Sequence, residues 1–146
     1  MIYPSSESVC RDIPQDIPVF EPLPKPPGLY NPSSRNGPVV RFQALAFGMP
    51  METLEKWADD NQVAIDKRPH TKRDIAWKVL FGKLRHLRCK ASIVPVRGVG
   101  VCRAVVVAHN QTPEDLKMGE DLEMIRAVQN ILGTTKAPIW YIPSHF

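Results

Sequence analysis

The sequence predicts an α+β fold in which helices back an antiparallel sheet, and three observations carry that reading. Two runs rich in β-formers, 91–97 (ASIVPVR) and 101–109 (VCRAVVVAH), flank Gly98, Val99 and Gly100, the chemistry of a short hairpin turn. Two other stretches place apolar residues three and four apart, the period of a helix face. A strand-like run stands at each end of this region, at 39–47 and at 139–142.

Length and composition fit one such domain. The chain has 146 residues, the size of a single ordinary core. Hydrophobic residues make up 43% and charged residues 23%, close to globular averages, so the 15 prolines must be unevenly placed. Nine of them fall within 1–38. Proline fixes φ and disfavours helix in the residue before it, which predicts an extended or polyproline II arm there. Ile13, Ile17, Val19, Phe20, Leu23, Leu29 and Tyr30 stand between the prolines, so part of the arm is expected to lie on the domain or on a partner. The folded domain is then 39–146.

The elements follow in order. The run at 39–47 (VVRFQALAF) reads as a first strand ended by Gly48. Residues 50–61 read as a helix, with Pro50 early in its first turn and Leu54, Trp57 and Ala58 at helical spacing. A polar connector at 66–71 leads to a second helix over 72–87, where Ile75, Val79, Leu80, Phe81, Leu84 and Leu87 cover a broad apolar arc. In the hairpin that follows, Pro95 lacks an N–H, which places its strand at an edge or beside a bulge. Thr112 is an N-cap with Pro113 and Asp115 behind it, opening a third helix that carries Met118, Leu122, Ile125, Val128 and Leu132 and stops at Gly133. A short last strand at 139–142 is closed by Pro143. Strand, helical region, strand, strand, helix, strand is the split βαβ order of ferredoxin-like sandwiches, with helices on one face of the sheet. The first helical region is longer than that architecture needs, so the second helix is free to cover an edge or the far face instead.

Charge is localised. The net charge is +4, but residues 64–90 carry nine Lys and Arg against Asp66 and Asp74, which makes that segment +7. Such a field suits a nucleic acid, an anionic membrane surface or an acidic protein, and it equally suits a solvated helix face. No apolar run is long enough for a membrane helix, and the start of the chain lacks the basic-then-apolar pattern of a signal peptide. Cys10, Cys89 and Cys102 are odd in number and scattered, the pattern of reduced thiols. A cytoplasmic or nuclear location is expected.

Arg97-Gly98-Val99-Gly100-Val101-Cys102-Arg103-Ala104 resembles the third-strand octamer of the RNA recognition motif, departing from it at the three aromatic positions, which hold Val99, Val101 and Ala104. The resemblance implies that Arg97 and Arg103 touch phosphates, that Arg41 and Gln43 add contacts from the first strand, and that Lys72, Arg73, Lys78 and Arg85 extend the field. In the arm, Pro26-Pro27-Gly28-Leu29 resembles the PPG-plus-hydrophobic ligands of GYF adaptor domains, and 24–27 has the PxxP spacing of SH3 ligands. Pro24, Pro26, Pro27, Gly28, Leu29 and Tyr30 therefore form a candidate peptide-docking arm.

Chemistry beyond binding finds little support. His86, Cys89, Cys102 and His109 have ligand side chains, but Cys102 and His109 lie seven apart on one strand and point to opposite faces unless a bulge intervenes, so no metal is expected. Gly98 and Gly100 are too few for a phosphate-cradling loop, and no cofactor is expected. No pairing of a nucleophile with a base, and no pair of carboxylates, has a diagnostic spacing, and no catalytic residue is assigned. A small enzyme would need a pocket in which His70 or His109 meets a carboxylate. The residues favour a non-enzymatic protein-interaction or adaptor domain with a docking or wrapping arm, ahead of a nucleic-acid-binding domain. A protein partner is expected, and assembly of identical chains is compatible with the arm.

Overall fold

The computed structural model describes residues 23–143 apart from 97 and 99. These hold β1 (Ala44–Met49), α1 (Met51–Asp60), α2 (Pro69–Leu84), β2 (Lys90–Val96), β3 (Gly100–His109), α3 (Pro113–Met118), α4 (Leu122–Leu132) and β4 (Ile139–Tyr141). The strands make one four-stranded sheet in the order β2-β3-β1-β4, with every pairing antiparallel. The chain is α+β, as its sequence predicts. Pro4, Pro14, Pro18 and Pro22 of the arm, Cys10, and Arg97 of the octamer lie outside the described residues.

The sheet's two faces differ because β1 alternates large and small side chains. Leu45, Phe47 and Met49 join Val105 and Val107 of β3 in the main core, together with Leu54, Trp57 and Ala58 of α1, Ala76, Leu80 and Leu84 of α2, and Ile125, Val128 and Leu132 of α4. Full burial of a Leu or Ile contributes about 1.5–3 kcal/mol, so these contacts dominate the fold. Helix α2 therefore belongs to the same layer as α1 and α4 and does not cover the far face. The Trp57 indole N–H donates to the Ile131 carbonyl at 2.8 Å and ties α1 to α4.

The far face carries Ala44, Ala46, Val94, Ala104 and Val106, with Val96, Cys102 and Tyr141 packed against them. A β-carbon on Gly48 would lie 3.3 Å from Val96 Cγ2, 3.5 Å from Cys102 Sγ and 3.6 Å from the Tyr141 hydroxyl. Side chains from three other strands thus converge where Gly48 has none.

The structure differs from the sequence reading in four places, and the first is β1, which starts at Ala44 instead of residue 39 and is not ended by Gly48, because Gly48 and Met49 keep their places in the ladder opposite Ala104 and Arg103. The third helix breaks into α3 and α4, because Gly119 ends the first and the Asp121 carboxylate caps the second by accepting the Met124 N–H at 3.1 Å. A β-carbon on Gly119 would sit 3.2 Å from Trp140 Cζ2 and 3.3 Å from Leu45 Cδ2, so the break rests directly on β4 and β1. Helix α2 begins inside the expected connector, since Pro69 is preorganised for a first helical position. The β1–β3 register shifts between Leu45 and Ala46, which leaves Val107 as the extra residue of a bulge and sets His109 opposite Ala44. Pro95 sits on edge strand β2, where a missing N–H is tolerated.

Candidate functional site

Asn110, just after β3, is fully buried and fastens the arm to the domain. Its Nδ2 donates to the carbonyls of Gly28 (3.0 Å) and Arg41 (2.8 Å), and its Oδ1 accepts the Gln43 N–H at 2.8 Å. Its backbone N–H donates to Gln43 (3.1 Å), and its carbonyl accepts the Tyr30 N–H at 2.7 Å. The Tyr30 ring meets Phe42 edge-on at 5.8 Å, and Phe42 packs against His109 at 5.7 Å. Asn31 and Val40 pair antiparallel and close the loop between arm and sheet. Of the candidate docking arm, Gly28 and Tyr30 are thus held by the chain itself, Pro24 and Pro27 are half-buried, and Pro26 and Leu29 stay exposed.

His109 meets a carboxylate, but inside a helix cap. Its Nδ1 accepts the Gln111 N–H at 3.2 Å, so Nε2 carries the proton and faces Asp115 Oδ2 at 3.1 Å. Asp115 also accepts the Thr112 hydroxyl at 2.7 Å, while its N–H donates to Thr112 Oγ1 at 3.1 Å. Burial holds the His109 pKa below its ordinary value, against the opposing pull of Asp115. Both ring nitrogens are used in the turn from β3 into α3, which is a structural role.

A cleft of about 320 Å³ opens beside the starts of α1, α2 and β3. Met49, Leu54 and Cys102 line it, and Met51 and Val101, each 62% exposed, stand at its lips. One wall is charged. Arg103 Nη2 donates to Asp74 Oδ1 at 2.8 Å and Nη1 to the Arg73 carbonyl at 3.4 Å, with the guanidinium 5.6 Å from the Trp77 ring centre. Arg73 pairs with Glu55 at 2.7 Å, and His70 Nε2 lies 3.9 Å from the second Asp74 oxygen. The Arg103 hydrogen bond holds the Asp74 carboxyl below its usual range, outweighing desolvation. Burial pushes the Cys102 thiol up, away from the reactive thiolate. The cleft is therefore an apolar slot with an ion-paired rim.

The basic residues divide into two groups. Lys72, Arg73 and Arg103 are committed to Asp59 (2.5 Å), Glu55 and Asp74. Lys78 and Arg85, with Lys83 and Arg88, are exposed and meet no carboxylate among the described residues. Arg41 is exposed and contributes its carbonyl to Asn110. On β3, Cys102 and Ala104 turn to the far face and Arg103 to the helix side, so this strand offers no ring for base stacking. The bulge sets His109 on the Cys102 side of the sheet, yet seven strand residues separate them by roughly 23 Å. Among the described residues no three His, Cys, Asp or Glu side chains are grouped as a metal requires, and no helix is long and apolar enough to cross a membrane.

Sequence reasoning did not single out Met51 or Glu55, and it named Val101 only as a position where the octamer lacks an aromatic. The exposure of Val101, at 62%, follows from the placement of the helices and not from its place in a β-run. No known family model matches the chain, and neither does any curated protein or solved structure.

Proposed function

We propose that the chain is a protein-binding domain of ferredoxin-like architecture that docks partners at the α1–α2–β3 cleft and uses arm residues 23–30 as a strap on itself. Strand order β2-β3-β1-β4 with all pairings antiparallel supports the architecture, α1 and α2 together forming an enlarged first crossover. One observation carries the binding role: Met51 and Val101 stand 62% exposed at the mouth of an apolar slot. Ile93, beside Arg103 across the β2–β3 pair and 37% exposed, widens that apolar surface. A contiguous apolar patch ringed by satisfied polar groups is the anatomy of a protein interface, and methionine and arginine are enriched there. The exposure of Lys78, Lys83, Arg85 and Arg88 favours a second reading, polyanion binding along α2, which would weaken steeply with salt.

A random peptide library displayed on phage and selected on the whole chain and on Val101→Asp tests the first reading. Peptides bearing a large apolar side chain should be enriched on the parent and lost on the variant. Equal recovery on both would remove the cleft as the docking site.

A further inference from the structure

We infer that the partner of this cleft is an acidic polypeptide segment carrying one large apolar anchor, an inference that rests on the docking role above. Asp74, Lys78, Phe81 and Arg85 follow one another at spacings of four, three and four, so they form one ridge along α2 and onto the 3-10 turn (Arg85–Leu87) that continues it. Asp74 joins the ridge to the cleft through Arg103. From there the ridge runs roughly 16 Å toward the helix C-terminus, about the length of a three-turn helix laid beside it.

Beyond Asp74, whose charge is paired with Arg103, the charged residues of this line are basic. Between residues 75 and 113 the sequence contains no Asp or Glu. Lys78 and Arg85 are exposed and meet no carboxylate among the described residues. Gly82 stands beside them with nothing within 4 Å of where its β-carbon would be, which leaves the stripe flat. An acidic segment seated in the cleft would therefore find cations on the side leading to Arg85, where charge complementarity adds specificity and association rate. The aromatic residues here argue against a single-stranded nucleic acid held by stacking. Base stacking needs an open ring face, but the Arg103 guanidinium lies over Trp77, and Phe81 meets Trp77 edge-on at 4.8 Å.

The test is the same peptide selection, followed by titration of the best peptide against the parent chain, Val101→Asp, and the double variant Lys78→Glu with Arg85→Glu. Enriched peptides should carry Asp or Glu clustered on one side of the apolar anchor. The double variant should weaken the peptide at least tenfold, and so should replacing the peptide's acids by Asn and Gln. Peptides without acids that are lost on Val101→Asp but indifferent to the double variant would overturn the acidic partner and leave the cleft standing. Peptides equally recovered on Val101→Asp would overturn both. A uridine oligonucleotide of about fifteen residues that binds more tightly than the peptide and displaces it would overturn the polypeptide in favour of RNA.

Discussion

Arg103 reaches from β3 to Asp74 on α2, Nη2 to Oδ1 at 2.8 Å, and this pair stands where the apolar cleft meets the basic ridge. Asp74→Asn would free the Arg103 guanidinium without emptying any packed volume. Asp74 is solvent-exposed, so the thermal midpoint should barely move, while an acidic cleft ligand should bind more tightly as Arg103 becomes available. Because the Asp74 pKa is depressed, the pair is intact above the ordinary carboxylate range and is lost only as pH falls through the lowered value. A melting curve and a binding titration on this variant check both parts, and a weaker acidic ligand would count against the role given to Arg103.

Asn110→Asp keeps the acceptor for Gln43 but turns an oxygen toward the Gly28 and Arg41 carbonyls. Setting a carboxylate at this fully buried position against two carbonyl oxygens that have lost their donor should cost about 2–4 kcal/mol in urea unfolding. Amide exchange at Tyr30 should accelerate as the strap loosens. A loss well under 1 kcal/mol would show that the arm is held elsewhere.

The His109 cap makes stability pH-dependent. Its folded pKa is depressed while the unfolded chain keeps the ordinary value of about 6.5, so the unfolded state binds more protons between the two. Stability should be complete above pH ~6.5 and fall as pH drops through that window. Melting curves across this range should show the slope in the parent and its reduction in His109→Gln. A slope of the same size in the variant would assign it to another group.

Cys89 is half-buried, and desolvation raises its thiol pKa to about 11. At pH 8 this lowers its thiolate fraction roughly 100-fold relative to an ordinary thiol, and its alkylation should slow by about that factor until the chain is denatured. Peptide mapping after iodoacetamide treatment reads this directly. Equal modification of the folded and unfolded chains would contradict the burial.

Gly48→Val would push two methyl groups into the space where Val96, Cys102 and Tyr141 converge. Overpacking of this kind should cost about 1–3 kcal/mol in urea unfolding. An unchanged unfolding midpoint would mean that the far-face contacts yield freely.

Legibility followed locality. The hairpin glycines, the Thr112 cap, the stop at Gly133 and the helical spacing of Leu54, Trp57 and Ala58 act within a few residues, and each sits where the sequence places it. The break at Gly119 was hidden because Met118, Leu122 and Ile125 keep their spacing across it. Its reason lies in Trp140 and Leu45, which are distant in the chain. The basic segment was visible as composition, but only the fold sorts Lys72, Arg73 and Arg103, spent on carboxylates, from Lys78 and Arg85, which are not. The arm's anchor at Asn110 was not legible, because its hold on Gly28 spans 82 residues and leaves no local trace. Val101 was legible only as a missing aromatic of the octamer, because its exposure depends on where α1 and α2 begin.

The cleft's role is tested most directly by backbone amide shifts as a selected apolar–acidic peptide is titrated into the whole chain. Docking at the cleft should move Met51, Asp74, Val101, Cys102 and Arg103 together, with Leu29 of the arm and Ala46 and Ala104 of the far face unmoved. Shifts gathered on the arm or the far face, with Met51 and Val101 silent, would contradict it.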